Sequence, residues 1–412
     1  MTTTQMPMST DLTVEEINLA DPDFWLRPDY HAALAKLRAE SPITWHEHPD
    51  SGRGFWSFVD YEDIVEVTRD WQHFSSKYGI RAHHDPGSGV VRPGTNIMIE
   101  MDPPQQTENR KHVNAGFTPR QVRKMESYVR EQAIKLLSQF SPGDEIDFVE
   151  DIAARLPMEI ICDIMGVDQK DRAWLLDLSN RTLGDQDPSF GRTPEEGSNA
   201  TMQMREYGVR LAAKRLENPT DDLFSDIAGI REGDEPLPAE QLGGYFALLI
   251  AAGNETTRTA ITHGMLAFTQ FPDQKAKFIA NPVELQQSAA EEIIRWATPL
   301  RHMGRVIESD VEYKGIPMSK GEKIAIWYTA SNRDPQIFED PFNFDIERDP
   351  NLHQSFGGGG PHFCLGANLA RREVWVLFQE LFARFPNAEI VGEPELLRSI
   401  QVNGVKSLKV RL

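Results

Sequence analysis

Cysteine and positive charge are both scarce in this chain. Of its 412 residues only two are cysteine, Cys162 and Cys364, which excludes a disulfide framework and predicts a reducing compartment, the cytoplasm. The 43 lysines and arginines are outnumbered by 63 aspartates and glutamates, so the formal net charge is −20. An acidic surface of this kind argues against nucleic acid and anionic membranes as partners.

Long apolar runs are missing as well. No segment approaches the roughly eighteen consecutive apolar residues of a membrane-spanning helix. Residues 1–15 have neither the basic nor the apolar part of a signal peptide, so we expect no membrane anchor. Repeats, low-complexity blocks and linkers are also missing. The sequence therefore predicts one domain over residues 1–412, with residues 1–20 flexible.

The segment from Phe356 to Glu373 is the most unusual part of the sequence. It reads FGGGGPHFCLGANLARRE, and its glycines predict a tight loop rather than the interior of a helix or strand. Cys364 lies near the end of this loop, just before residues that favour a helix. Free amides at a helix start favour a thiolate over a thiol, and a thiolate is a strong ligand for iron. Taken alone, the segment also fits a buried cysteine after a glycine turn.

The order of these residues resembles the haem-binding loop of the cytochrome P-450 superfamily. The resemblance implies that the Cys364 thiolate is the axial ligand of iron in haem b, iron protoporphyrin IX. It also implies that Phe356, Gly357, His362 and Gly366 bind the cofactor. One departure is visible: the phenylalanine lies eight positions before the cysteine (364 − 356), one more than the family spacing.

A long helix is predicted from Pro238 to Phe271, because proline suits a helix entrance and the following residues are largely apolar. Its middle, AAGNETT, brings Gly253 and several polar residues into this apolar sequence. Polar groups in a buried helix are costly unless they are used. The hydroxyl of Thr256 can donate to the carbonyl of Ala252, four residues earlier, and open a groove at Gly253.

This stretch resembles the family's Ala/Gly-Gly-x-Asp/Glu-Thr motif, in which the threonine hydroxyl steadies oxygen and the acidic residue relays protons. The resemblance implies that Glu255 and Thr256 are catalytic and that Ala252 and Gly253 lie beside the cofactor. Without the cysteine loop elsewhere in the chain, the motif would fit a buried kink instead.

Gln106 and Arg110 are four residues apart and share one face of a predicted helix. A solvated polar face would give the same pattern. The resemblance implies that the two residues bind a haem propionate, although the family usually has histidine at the position of Gln106. Arginine suits a carboxylate through its two-pronged guanidinium group. The second propionate is implied to bind Arg305 and His362.

A structural role is implied for Glu292, Arg295 and Arg348. Glu292 and Arg295 are three residues apart on a predicted helix, a spacing that allows an ion pair. The spacing alone is common and weak evidence. In the family such a pair joins a downstream arginine, here Arg348, and locks the scaffold on the cysteine side of the haem.

The substrate-facing positions implied by the resemblance are Leu249, Leu300, Met303 and Val402. Two stretches rich in glycine, proline and polar residues, 80–97 and 184–198, are predicted to be loops. For residues 184–198 a lid over the substrate channel and an ordinary surface loop fit the sequence equally.

The four motifs in family order predict the cytochrome P-450 fold, mainly α with a smaller β-rich region. The implied activity is that of a haem-thiolate monooxygenase, which inserts one atom of O₂ into a C–H bond of an apolar sterol, branched lipid or terpenoid. Alternatives are a peroxide-driven peroxygenase, a haem-thiolate ligand sensor and a haem-free helical protein with a structural cysteine.

Electrons have to come from a separate protein, because the chain has no flavin or nicotinamide fingerprint. The resemblance implies a ferredoxin or flavodoxin with its NAD(P)H reductase. A ferredoxin is acidic, so its docking surface on this acidic chain should be locally basic and lie on the cysteine side. The candidate side chains are Arg110, Lys111, Arg123, Lys124, Arg371 and Arg372.

Overall fold

A computed structural model describes residues 9–48, 53–82, 97–184, 186–188, 193–232 and 234–412. The prediction of a mainly α fold with a smaller β-rich region is confirmed. The longer helices are α1 (Tyr30–Glu40), α2 (Tyr61–Arg69), α3 (Gln105–Asn114), α4 (Pro119–Lys124), α5 (Glu126–Leu137), α6 (Arg155–Ile164), α7 (Arg172–Leu183), α8 (Pro194–Glu217), α9 (Leu223–Ala228), α10 (Ala239–Gln270), α11 (Pro272–Ala280), α12 (Gln286–Ala297), α13 (Tyr328–Ser331) and α14 (Ala367–Arg384).

Short helical turns cover Phe24–Leu26, Met98–Glu100, Ala115–Phe117, Val149–Ala153 and Gln169–Asp171. The strands are β1 (Ile43–Glu47), β2 (Gly54–Phe58), β3 (Phe74–Ser75), β4 (Glu145–Asp147), β5 (Arg231–Glu232), β6 (Glu235–Pro236), β7 (His302–Ile307), β8 (Val311–Tyr313), β9 (Ile316–Met318), β10 (Lys323–Trp327), β11 (Glu389–Ile390), β12 (Glu395–Leu396), β13 (Val405–Ser407) and β14 (Lys409–Arg411).

Helix α10 is the helix predicted from Pro238, and the other large helices pack around it. It contacts α6, α7, α8, α12 and α14, as expected for a helix that is apolar on most of its surface. Its crossing with α8 is close, because a Cβ atom at Gly243 would lie 2.6 Å from the carbonyl oxygen of Arg205. The crossing therefore requires glycine at this position, and α10 is held firmly at the centre of the helical core.

The largest sheet has five strands in the order β1-β2-β10-β7-β3. Its central strand β10 runs parallel to β2 and antiparallel to β7, with Ile324 opposite Arg305. Smaller sheets pair β11-β14-β4, β12-β13, β5-β6 and β8-β9. The five-stranded sheet fixes β7, and with it the backbone of Arg305.

The flexibility predicted for residues 1–20 stays a prediction. Within that range, Ile17, Leu19 and Ala20 are buried in a cluster with Trp25 and Trp327, because their apolar side chains cover that end of the sheet. Residues 1–8 lie outside the described part. The loop predicted over 184–198 ends early, because Thr193 caps α8 through a reciprocal hydrogen-bond pair with Glu196.

Three other predictions are not decided by the described residues. Most of the loop predicted over 80–97 falls on residues 83–96, which lie outside the described part. Residues 185 and 189–192 of the possible lid lie outside it as well. The assignment of residues 1–412 to one domain stays a prediction.

Residues 186–188, between α7 and α8, are tied to the loop that follows β12. Asp187 is buried and accepts hydrogen bonds from the backbone amide of Arg398 at 3.0 Å and from the Lys406 ammonium at 3.2 Å. The side-chain oxygen of Gln186 accepts from the amide of Ile400 at 2.9 Å. Arg398 in turn pairs with Asp23 near the N-terminus. We call this set of contacts the Asp187 clamp.

Candidate functional site

A cavity lies between α10, the start of α14 and the glycine loop before it. Most of the residues singled out from the sequence line it. They are Gln106, Arg110, Leu249, Ala252, Gly253, Thr256, Leu300, Met303, Arg305, Phe356, Gly357, His362, Cys364 and Gly366. Glu255 and Val402 are not among the lining residues. The fold thus brings together four sequence motifs that are widely separated along the chain.

The Cys364 side chain is partly exposed, towards this cavity. Burial raises the pKa of its thiol, while the amides of Gly366 and Ala367 and the charges of Arg110 and Arg371 act in the opposite direction. The expectation that the helix-start amides favour the thiolate is right in sign, but burial outweighs them. A coordinated metal ion deprotonates a thiol outright, so the residue is suited to bind as a thiolate once iron is present.

The extra residue in the loop leaves Phe356 beside the cysteine. The amide of Cys364 donates to the carbonyl of Phe356 at 2.8 Å, and the Arg371 guanidinium lies 4.4 Å from the centre of the Phe356 ring. The glycine run takes up the added length, because Gly357, Gly358 and Gly359 all have positive φ angles. Only glycine adopts this conformation at little cost. The glycine turn therefore accommodates the longer spacing, and Phe356 stays hydrogen-bonded to Cys364 through the backbone.

Arg110, Arg305 and His362 form a cluster of hydrogen-bond donors, two of them positively charged, on the cavity wall. The Nε2 atom of His362 is buried and has no hydrogen-bond partner among the described residues. Burial and the two arginines lower the pKa of His362 to about 3. The described bond of Arg305 is to the neighbouring carbonyl of Gly304 at 2.7 Å. Because unpaired buried donors and cations are costly, this cluster is suited to bind carboxylates.

Gln106 also lines the cavity, but its side chain is engaged with the cysteine loop. Its amide nitrogen donates to the carbonyl of Pro361 at 2.8 Å, and the residue is almost completely buried. This bond ties α3 to the loop that carries His362. Gln106 therefore differs from Arg110, for which no described residue supplies a hydrogen-bond partner.

On α10, Thr256 faces the cavity and its hydroxyl donates to the carbonyl of Ala252 at 2.8 Å, as the sequence suggested. Glu255 is completely buried and lies off the cavity wall. Its carboxylate accepts from Arg258 at 2.5 Å, and Arg258 also donates to Asn180 of α7 at 2.8 Å. A chain of polar groups thus leads from the residue next to Thr256 towards α7.

Glu373 was missed in the sequence. It is 2% exposed, lines the cavity from α14, and burial raises the pKa of its carboxyl well above the usual range. Thr257 supplies a hydrogen bond that acts in the opposite direction. Helical spacing could have revealed it, because Glu373 follows the cavity residue Leu369 by four positions and shares its helix face.

Of the four residues expected to face the substrate, three line the cavity and one does not. Leu249, Leu300 and Met303 line the same cavity as Thr256 and give it an apolar surface. The Val402 side chain is 1% exposed and is not among the lining residues. Its backbone pairs with Leu300 in an isolated β-bridge. Val402 therefore lies beside Leu300 in this backbone pair without lining the cavity itself.

Glu292, Arg295 and Arg348 lie together beneath the cysteine loop. Glu292 and Arg295 are fully buried and joined by two hydrogen bonds of 2.7 Å. Arg348 approaches the same carboxylate at 3.3 Å. The remaining donors of Arg295 bind the carbonyls of Asn332, Pro341 and Asn343. The charged groups thus connect α12 to the chain that leads into the cysteine loop.

Comparison with known proteins agrees with this arrangement. Residues 280–394 match the Cytochrome P450 family model. A methyl-branched lipid omega-hydroxylase of Mycobacterium tuberculosis is 37% identical over 97% of this chain and 95% of its own length. A steroid C26-monooxygenase of the same species is 35% identical over 92% of this chain and 88% of its own length.

This chain belongs to the cytochrome P450 family.

The same fold is found in a Mycobacterium marinum cytochrome P450 in complex with pseudoionone. That structure has a TM-score of 0.89 and 32% sequence identity, and the match covers 98% of this chain and 100% of the other. The protein is therefore a bacterial-type P450 monooxygenase whose cofactor is haem. None of the helices in the described ranges has the length and apolar character needed to cross a membrane.

The residues that line the cavity fit haem, independently of the similarity to known proteins. The thiol of Cys364 and the carboxylate-binding cluster of Arg110, Arg305 and His362 all line the cavity. The unpartnered Nε2 atom of His362 indicates a ligand group that the chain itself does not provide. A planar ligand with two carboxylates and an iron atom would meet all of these requirements at once.

Proposed function

We propose that this P450 hydroxylates a branched hydrocarbon chain of a lipid or steroid, with electrons from a ferredoxin. The apolar surface of Leu249, Leu300 and Met303 beside Thr256 carries the proposal. The charged side chains that line the described cavity are Arg110, Arg305 and Glu373, which lie in the carboxylate cluster or next to Thr257. An uncharged, apolar part of the substrate therefore suits the space near Thr256.

The printed names of the relatives support the same substrate class. One is a methyl-branched lipid omega-hydroxylase and the other a steroid C26-monooxygenase, so both act on lipids. The neighbour in structure was solved with pseudoionone. These compounds are largely apolar, and an apolar wall binds such groups by excluding water.

Haem, when bound, supplies O₂ activation and the insertion of one oxygen atom into the C–H bond, while the other atom leaves as water. Cys364 would hold the iron as a thiolate, and Arg110, Arg305 and His362 would bind the two propionates. We assign Thr256 to the oxygen-binding groove: its hydroxyl proton is engaged with Ala252, so its oxygen is free to accept a hydrogen bond. We assign Glu255 to the relay of protons from solvent towards this groove; Arg258, which also donates to Asn180, holds its carboxylate in place.

A spectral titration tests the substrate class. The purified haem protein is titrated with 15-methylhexadecanoic acid and with cholest-4-en-3-one, and hexadecanoic acid is the unbranched control. The expected results are a low-spin to high-spin shift and a hydroxylated product, detected by mass spectrometry, with the branched compounds bound more tightly. A protein that shows neither the shift nor the product with any of these compounds would contradict the proposal.

The variant Thr256→Ala is expected to uncouple electron use from product formation. Loss of the hydroxyl removes a group in the oxygen-binding groove, so NADPH oxidation continues while hydrogen peroxide escapes. Loss of about 10²-fold in product per NADPH is within the range for proton-transfer groups. The control Thr256→Ser keeps the hydroxyl and should keep most of the coupling. Equal product per NADPH in both variants and the parent would contradict this role.

Six side chains are candidates for the surface on which the electron donor docks, and their described contacts reduce that number. Arg110 lines the cavity, and Lys111 pairs with Glu108 at 2.7 Å. Arg371 pairs with Glu291 at 2.7 Å, and Arg372 with Glu126 at 3.3 Å. Four candidates therefore have partners or a place in the cavity, and the remaining two are on α4.

Arg123 and Lys124 are exposed, and neither pairs with another described residue. Helix α4 also presents the exposed Arg120 and packs against α14, which begins just after the cysteine loop. We propose that an acidic ferredoxin docks on α4, because opposite charge across an interface speeds encounter. Substitution of Lys124 therefore tests docking more directly than substitution of Lys111, which is paired with Glu108.

The double variant Arg123→Glu/Lys124→Glu is expected to slow the first electron transfer by about tenfold at low salt and to flatten its salt dependence. Stopped-flow reduction by a ferredoxin at several ionic strengths measures both effects, while lipid binding should not change. The control Lys170→Glu reverses an exposed charge between α6 and α7. If the double variant and the Lys170→Glu control give the same electron-transfer rates and the same dependence on salt, the ferredoxin docks elsewhere.

A further inference from the structure

Arg301 is a fully buried arginine next to the cavity wall. Its guanidinium donates to the carbonyls of Ser399 and Val402 and to the side-chain oxygen of Asn403, the last two at 3.0 and 2.8 Å. The group also lies 5.0 Å from the centre of the Trp25 ring. All of its described polar partners therefore belong to one segment, residues 399–403, which we call the support loop.

Among the described residues, no carboxylate contacts the Arg301 guanidinium. A cation buried without an opposite charge is costly, and a methionine or leucine would fill the space without that cost. Burial lowers the pKa of Arg301 to about 10, so the group is still charged at neutral pH. A guanidinium offers several donors in one rigid plane, which lysine does not. The arrangement suits a group that holds three acceptors of one loop in fixed positions.

The support loop is directly joined to the cavity wall. The amide of Arg301 donates to the carbonyl of Gln401 at 2.7 Å, and Val402 pairs with Leu300, which lines the cavity. The amide of Asn403 donates to the carbonyl of Pro299, a second lining residue, at 3.0 Å. A displacement of the support loop would therefore move the backbone of Pro299 and Leu300.

The support loop is also joined to α10. The Nε2 atom of His263 donates to the carbonyl of Asn403 at 2.8 Å. The Asn403 amide group also donates to the carbonyl of Ala297, at the end of α12, at 2.7 Å. His263 lies two helical turns after Thr256 on the same helix. The loop therefore spans the wall at Leu300 and the helix that carries the groove, and Arg301 is its central attachment.

We infer that Arg301 is a positioning residue for substrate selection, which sets the place of Leu300 in the cavity by holding the support loop from behind. The guanidinium does not line the cavity, so its effect is indirect. Substitution of Arg301 should change which large ligands fit the cavity and which carbon of a substrate is oxidised. It should change the affinity for small ligands less. The expected effect on the oxidised carbon rests on the proposed function, whereas the expected effect on ligand binding does not.

Azole binding to the haem protein tests the inference. Imidazole is small, whereas 4-phenylimidazole has to fit beside the wall, so the ratio of their dissociation constants reports on the wall. We expect Arg301→Lys to change this ratio by about tenfold, the scale set by a misfit of one carbon group. Hydrogen–deuterium exchange should also become faster in residues 399–403.

The matched control is Arg333→Lys. Arg333 is 3% exposed, binds the carbonyls of Arg295 and Trp296, and also has no carboxylate among its hydrogen-bond acceptors. A general loss of packing would affect both variants, but only Arg301→Lys should change the azole ratio and the exchange of the support loop. If Arg301→Lys does not retain haem, Asn403→Ala takes its place, because it removes an acceptor of Arg301 without removing the buried charge.

The outcomes separate this inference from the proposed function. An unchanged azole ratio and unchanged exchange in the Arg301 or Asn403 variant would overturn the positioning role. With 15-methylhexadecanoic acid we expect the parent to give one dominant hydroxylation position and Arg301→Lys to spread it over neighbouring carbons. If the parent does not oxidise this lipid, the proposed substrate class fails, while the azole and exchange results still decide the role of Arg301.

Discussion

The variant Cys364→Ala is expected to lose the red-shifted Soret band of the reduced protein with carbon monoxide and to lose all oxygenation activity. Cys364 is the described cysteine that lines the cavity, and no other side chain can supply a thiolate there. The thiolate donates electron density that favours O–O cleavage, so a haem without it is a different catalyst. The carboxylate-binding cluster remains, so weakened haem binding rather than complete loss is expected.

The matched control for this experiment is Cys162→Ala. Cys162 is buried against Met158, and burial raises the pKa of its thiol to about 12. This variant should keep the thiolate spectrum and lose only about 1–3 kcal/mol of stability through the small cavity that it leaves. A Cys364→Ala protein with an intact red-shifted band would show that the ligand is another residue.

Replacement of Glu292 by glutamine should be among the most destabilising single changes in the chain. The substitution keeps the shape of the side chain but removes the charge that faces Arg295 and Arg348. The carboxylate also accepts from the amide of Asp345 and the side chain of Asn351, so every lone pair is used. Breaking a buried pair leaves an uncompensated charge and costs about 3–5 kcal/mol.

Urea unfolding of the haem protein, together with haem retention after gel filtration, measures this effect. The control is Glu347→Gln, because Glu347 pairs with Lys277 at 2.6 Å where both side chains are about half exposed. An exposed pair of this kind contributes about 0–1 kcal/mol. Equal unfolding midpoints for the two variants would show that the buried network does not stabilise the cysteine side of the fold.

The parts of the site that the sequence predicts are those with short-range signals. The glycine loop identifies Cys364 because the loop, the helix start and the thiol are neighbours along the chain. Thr256 and Ala252 are four residues apart, so their hydrogen bond follows from helix geometry alone. The pair of Glu292 and Arg295 follows in the same way. In each case local spacing determines the contact.

The parts that the sequence does not predict depend on contacts between distant segments. Val402 was expected at the substrate, but it is buried and does not line the cavity, although its backbone pairs with the lining residue Leu300. Lys111 was expected to be free for docking, although Glu108, three residues earlier, was a visible partner. Arg301 gave no signal, because its acceptors lie almost a hundred residues later and are mostly backbone carbonyls.

The Asp187 clamp limits how segments can be exchanged between relatives. A chimera that takes the connection between α7 and α8 from one parent and the chain after β12 from another would separate Asp187 from Lys406 and the amide of Arg398. Asp187 is only 3% exposed, so the loss of these two partners would weaken the stabilisation of a buried carboxylate. Crossover points for recombination therefore have to keep residues 186–188 and 398–406 in the same parental block, although they are far apart in sequence.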